Sequence, residues 1–300
     1  MSGKAYEDIM NLRGYEEFKA LAKRLCQLAQ SRRDLSGVRA PVPNFLFVED
    51  PGAGVTTQLK LLTRLLMEQK LIRFMGERRY FEWALDGDAF EKGGSFDRLL
   101  QETDAAAGFY RQFRGVIGIE LGEWSSWPRH PGFRRLLDFA ADMYRRITFV
   151  FVTEERDAEK LARLHRVLNE ATPIEMIRCP LPKAEDMTQY LLDFLWARGF
   201  VAEEKAEAAI AEFMPELMKT EDFDGMQTMS ILADEIVFHA CSSAGGVQLA
   251  SATADGKERV QTVPVVRPEH LSFITGEKGY ISRHARRQAK QRKIGFERVG

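Results

Sequence analysis

Up to Cys179 the chain alternates short continuous apolar runs with amphipathic stretches, and no other feature limits its fold so tightly. The apolar runs are 44–48, 80–85, 115–121, 147–152 and 174–179. Strands buried on both faces of a parallel sheet read this way, without the polar alternation of a half-solvated sheet. Between the runs the apolar period switches to that of a helix. Over 15–31 it places Phe18, Leu21, Ala22, Leu25 and Leu28 on one face, and over 56–69 it does so for Leu59, Leu62, Leu65 and Leu66. Further helices are predicted at 96–107, 133–146 and 157–169. The expectation is an α/β domain whose parallel sheet of five strands is flanked by crossover helices.

The pattern changes after Pro182. Segments 185–198, 202–219 and 225–240 all read as helices, with no apolar strand between them. The predicted organisation is an α/β core over 1–182, a small all-helical domain over 183–241, and a loop with a basic tail over 242–300. Within that last part, 242–257 is rich in Gly, Ser, Ala and Thr and reads as loop.

Composition removes several classes. The 300 residues carry 43 Lys+Arg against 44 Asp+Glu, a net charge of −1, so the chain is not a globally basic nucleic-acid binder. Hydrophobic residues make up 45%, enough for a core. The apolar runs are too short to span a bilayer, and the start MSGKAYEDIM lacks a signal-peptide core. Cys26, Cys179 and Cys241 lie far apart, which argues against a disulfide framework or thiolate metal site and for a reducing, cytoplasmic compartment. The five histidines show no metal-ligand spacing, so no metal-ligating residues are predicted.

One loop stands in the context that phosphate binding needs: strand, glycine turn, helix. It runs Glu49-Asp50-Pro51-Gly52-Ala53-Gly54-Val55-Thr56-Thr57. A phosphate loop of the G-x-x-x-x-G-K-[ST] type binds through backbone N–H groups at a helix N-terminus. Here Gly54 is the second glycine and Thr56 the metal-side hydroxyl, while Glu49 replaces the first glycine and Val55 the lysine. The backbone elements are kept and the charge is inverted. A like-charge pair at 4 Å costs about 4 kcal/mol at an effective dielectric of 20. The same residues also suit an ordinary strand-to-helix turn.

The segment Asp50 to Thr57 resembles the PPGTGKTT loop of AAA+ ATPases. The lead-in Leu12-Arg13-Gly14-Tyr15-Glu16-Glu17-Phe18-Lys19 is similar to the "GLxxxK" helix of the CbxX/CfxQ branch, and the helical segment after Pro182 resembles the AAA+ lid. The resemblance covers about residues 11–240. It implies a P-loop NTPase-like five-stranded parallel sheet followed by a small all-helical lid.

It also implies site residues. The Asp-Glu pair ending the third core strand of AAA+ proteins falls on Glu120 and Leu121, and a leucine can neither act as a base nor orient water. Glu123 lies beyond the strand end. Thr153 falls at the position that senses the outer phosphate, although it also suits a cap for a helix starting near Glu154. The trans-acting arginine falls near Arg163 or Arg166, both readable as a solvated helix face, and Gln227 stands where the lid arginine is usual. Segment 90–95 falls at the pore-loop position without an aromatic-glycine pair. Trp124 and Trp127 follow the acidic strand end and read either as packing or as cover for a nucleotide or partner.

The candidate nucleotide-binding residues are therefore Gly52, Ala53, Gly54, Val55, Thr56, Thr57, Glu120 and Thr153, with no catalytic residue assigned. ATP or ADP with magnesium is the cofactor class implied. Three functions stay open at this point. The first is a degenerate AAA+-like regulatory or scaffold subunit beside an active AAA+ relative, in a hetero- or homo-oligomer. The second is a divergent ATPase that remodels a protein. The third is a nucleic-acid-associated helper docking through Arg283, Arg286, Arg287, Lys290, Arg292 and Lys293.

Overall fold

A computed structural model describes residues 3–35, 41–73, 80–84, 114–220, 222–242, 249–253, 260–276 and 279. The helix expected at 96–107, segment 90–95 and the basic tail lie outside the described residues. The chain divides into two compact units, Met1–Leu181 and Pro182–Gly300.

The first unit is built on five strands: β1 (Asn44–Glu49), β2 (Tyr80–Ala84), β3 (Gly115–Glu120), β4 (Ile147–Thr153) and β5 (Ile174–Cys179), in the order β2-β3-β4-β1-β5. Every pairing is parallel, with Phe45 opposite Val150 and Glu175, and Ile117 opposite Phe149. This is the α/β class and the parallel sheet that the apolar runs predict. β4 is buried along its whole length, as a strand covered on both faces must be.

The described helices of this unit are α1 (Lys4–Met10), α2 (Glu16–Asp34), α3 (Val55–Glu68), α4 (Pro131–Met143) and α5 (Ala158–Ala171). α1 is not foreshadowed by the hydrophobic period. It is fixed to α3 by the Ala5 N–H donating to Glu68 Oε2 at 3.0 Å and by Arg64 against Asp8 at 3.0 Å. One core cluster joins β3 and β4 to α4 and α5 through Ile119, Phe149, Phe133, Leu137, Leu164 and Leu168. Asn44 is fully buried at the start of β1; its Oδ1 accepts the Phe149 N–H at 2.8 Å and its Nδ2 donates to Thr172 Oγ1 at 3.0 Å. Three distant parts of the chain thus meet at one amide.

The second unit contains α6 (Ala184–Ala197), α7 (Glu204–Leu217) and α8 (Gly225–Ser242), the three helices read from the sequence. Their core includes Leu191, Leu195, Ile210, Met214, Met229 and Ile236. A short sheet accompanies them where the sequence announces only helices and loop. β6 (Val201–Ala202), β7 (Leu249–Thr253) and β8 (Val260–Val266) lie in the order β6-β8-β7. The loop reading of 242–257 is therefore corrected: it contributes β7, which pairs antiparallel with β8. Small residues at 249–253 give no apolar alternation to announce that strand. A 3-10 turn (Pro268–Leu271) and α9 (Ser272–Thr275) follow, placing Leu271 and Ile274 in the same core. Among the described residues no helix is long and apolar enough to cross a membrane.

Candidate functional site

Three strand ends meet at the carboxyl edge of the sheet, beside the loop that joins β1 to α3. Glu49 closes β1 opposite Cys179 of β5. The Asp50 N–H then donates to the Cys179 carbonyl at 3.1 Å, and the Ala53 N–H donates to the Asp50 carbonyl at 3.0 Å. Pro51 and Gly52, with Gly52 at φ 76°, supply the two central residues of a type II turn, where only the second of them needs a positive φ. Gly54, at φ 71°, is the N-cap of α3. The Thr57 and Gln58 N–H groups donate to the Gly54 carbonyl at 3.0 and 3.3 Å, so within the first turn it is the Val55 and Thr56 amides that have no acceptor behind them in the helix.

Two side chains hold the loop. The buried Tyr15 hydroxyl donates to the Ala53 carbonyl at 2.8 Å, and Gln58 Nε2 donates to the same oxygen at 3.2 Å. Gln58 is 1% exposed, and its Oε1 has no partner among the described residues. Sequence spacing assigns neither residue this role. Gln58 carries the stronger signal, a polar residue on the apolar face that also carries Leu59 and Leu62.

The candidate residues separate by exposure. Ala53 is fully buried and Val55 is 6% exposed, whereas Thr56 and Thr57 face outward. The lysine position of the resembling loop is thus occupied by an apolar side chain turned into the core. Asp50 is engaged elsewhere: Oδ2 accepts the Leu181 N–H at 3.0 Å and Oδ1 lies 3.2 Å from Arg156 Nη2. It fastens the loop to the exit of β5.

At the end of β3 Glu120 is exposed. Leu121 is fully buried, and its N–H donates to the Val152 carbonyl at 2.8 Å. Glu123 sits exposed on a 3-10 turn (Gly122–Ser126). Thr153, 2% exposed, accepts the Glu155 N–H at 3.1 Å. It does not cap a helix: α5 starts at Ala158 with Asp157 as N-cap, accepting the Glu159 and Lys160 N–H groups. Trp124 is 2% exposed and lies edge-on to His130 with ring centroids 5.2 Å apart, so it packs within the core; Trp127 is exposed. Arg163 is exposed on α5, Arg166 stands on the same helix, and Gln227 lies near the start of α8 in the second unit.

The electrostatics of the edge are acidic. Burial pushes the Glu49 carboxyl up to about 7, and the carboxylates of Glu154 and Glu120 push in the same direction. Burial also raises the Cys179 thiol, with Glu49 and Glu17 adding to the effect, so it stays protonated. Among the described residues no cluster of three metal-ligating side chains is present. The backbone fits a phosphate, with a glycine N-cap in front of the Val55 and Thr56 amides. The side chains do not fit a magnesium triphosphate. Carboxylates crowd the loop, Arg156 is paired with Asp50, and the lysine position is apolar.

No protein-family model matches the sequence. No curated protein matches it. Solved structures do share its fold. One mutant form of Thermotoga maritima RuvB superposes with a TM-score of 0.50 at 14% identity, covering 80% of this chain and 67% of that one. A second RuvB mutant gives a TM-score of 0.50 at 14% identity, over 77% and 65%. The AAA domain of FIGL-1 aligns at 17% identity over 88% and 80%, with a TM-score of 0.48. The chain spans about two thirds of the length of the RuvB chains. At this identity the RuvB likeness establishes the fold alone, a P-loop NTPase-like α/β core with a parallel sheet.

Proposed function

We propose that this chain is a catalytically degenerate AAA+-like protein that acts as a regulatory or scaffold subunit beside an active AAA+ relative. The observation that carries the reading is Val55. Where phosphoryl transfer needs a lysine at the outer phosphates, the chain places a buried valine at the first position of α3. Leu121 in the core and the Glu49, Glu120 and Glu154 carboxylates support the same conclusion. A fold kept without its chemistry is most useful as a surface, and relatives of this kind assemble side by side. The placement in the CbxX/CfxQ branch rests on the lead-in around Gly14 and Tyr15, whose hydroxyl braces the loop. The free Cys26, Cys179 and Cys241 suit a reducing cytoplasm.

The test is calorimetric titration of the full chain with ATP and magnesium, beside a phosphate-release assay. Absent turnover and weak or absent binding are expected. Tight binding with turnover overturns the proposal in favour of a divergent ATPase that remodels a protein partner.

A further inference from the structure

At the opposite edge of the sheet, where β1, β3 and β4 begin, the first unit holds a cavity of about 680 Å³. Arg32, Lys70, Arg73, Arg114 and Arg145 line it, and among the described residues no carboxylate does. Its apolar wall comes from Val42, Leu71 and Ile147. The chain as a whole is charge-balanced at 43 against 44, so five cations with no carboxylate among the described residues of one concavity is a local segregation of charge. Like charges brought together repel unless an anion joins them.

Two of the five stand on unfavourable backbone. Lys70 has φ 54° and Arg145 has φ 74°. Lys70 closes α3 in a Schellman arrangement, with the Lys70 N–H on the Met67 carbonyl at 3.0 Å and the Leu71 N–H on the Leu66 carbonyl at 3.0 Å. Glycine is the residue that takes this position without strain. Arg145 follows α4, just beyond its C-cap Tyr144. Cations past helix ends compensate the helix dipole. That benefit does not need a left-handed residue, since the same charge one position earlier would give it at no backbone cost. Side chains that break a local rule at two places around one cavity point to a function of the cavity. Arg32 is already positioned, with Nη1 donating to the Leu71 carbonyl at 2.7 Å.

We propose that this cavity binds a compact ligand carrying two or more phosphate groups. Its size is that of a small-molecule site. Arginine guanidinium groups match phosphate oxygens in pairs. A concavity of these dimensions favours a small molecule over a duplex, which needs an extended basic stripe. This site is separate from the loop at the carboxyl edge and does not depend on how that loop is read.

The probe is inorganic pyrophosphate, titrated calorimetrically into the full chain without magnesium. One-to-one binding is expected. It should weaken about tenfold or more in each of Arg114→Gln, Lys70→Gly and Arg145→Gly, and be unchanged in Thr56→Asp, which places a carboxylate at the other edge. The two glycine variants should melt at or above the wild-type temperature, so lost binding in them is not lost folding. No binding by the wild type overturns the assignment, as does binding that survives all three cavity variants or disappears in Thr56→Asp. So does tighter binding of a short single-stranded oligonucleotide or an oligoglutamate peptide than of pyrophosphate.

Discussion

Glu49 stands midway through its titration at neutral pH, because burial and the Glu154 and Glu120 carboxylates push it from the ordinary 4.5 to about 7. The native state therefore holds a proton between these values that the unfolded chain has released. Stability falls as pH rises through that window. The full shift corresponds to about 3 kcal/mol, and solvent screening of this half-buried carboxyl reduces the cost to about 1–2 kcal/mol. Glu49→Gln removes the charge and keeps the shape. The variant should match the wild type at pH 4 and be more stable at pH 8 by about 1–2 kcal/mol, measured by denaturant unfolding at both values. A gain independent of pH would show that Glu49 is not held near neutrality. At the other edge, Lys70→Gly and Arg145→Gly each relieve a left-handed residue. Each should stabilise the chain by about 0.5–1 kcal/mol, because the strain removed exceeds the added freedom of glycine in the unfolded chain. Equilibrium unfolding reads this directly, and clear destabilisation would mean that the side chains are structural.

At the scale of elements, Asn44 shows what a strand needs beyond its apolar run. It satisfies the Phe149 N–H and the Thr172 hydroxyl inside the core, so Asn44→Leu should cost about 2–3 kcal/mol. A thermal melt of the purified variant tests this, and an unchanged midpoint would contradict it. The strand itself was legible, because Phe45 to Val48 form an unbroken apolar run; the amide's role was not, since its partners lie 105 and 128 residues away. The same division runs through the site. Gly52 and Gly54 announce a turn and a helix start by residue type alone. The attachment of Ala53 to Tyr15, and of Asp50 to Leu181 and Arg156, depends on distant segments meeting in space. The pairing of β7 with β8 escaped for a different reason. β7 is Ala, Ser and Thr after Leu249, and β8, although it holds four valines, is interrupted by Gln261, Thr262 and Pro264, the last of which reads as a breaker.

For the molecule as a whole, the proposed loss of chemistry from a retained fold can be measured by a substitution series. Val55→Lys together with Glu49→Gly returns the charge pattern of a working phosphate loop. Val55 is 6% exposed, so the lysine has to keep its stem in the apolar site and turn its ammonium back out toward the loop. The helix N-terminus and the two left-handed glycines are already in place. The double variant should gain about tenfold or more in ATP affinity over the wild type by calorimetry. Turnover should stay at background. The AAA+ resemblance puts the water-orienting carboxylate at Leu121, and Leu121 is fully buried in the cluster that holds Trp124 and Phe133. Leu121→Glu would bury a carboxylate among these side chains at a cost of about 3 kcal/mol or more, so the missing group cannot be restored by that change alone. Phosphate release above background from the double variant would refute this account of the lost chemistry. A well-folded double variant that ignores ATP would show that the loop is a turn and that the likeness to AAA+ structures stops at the fold.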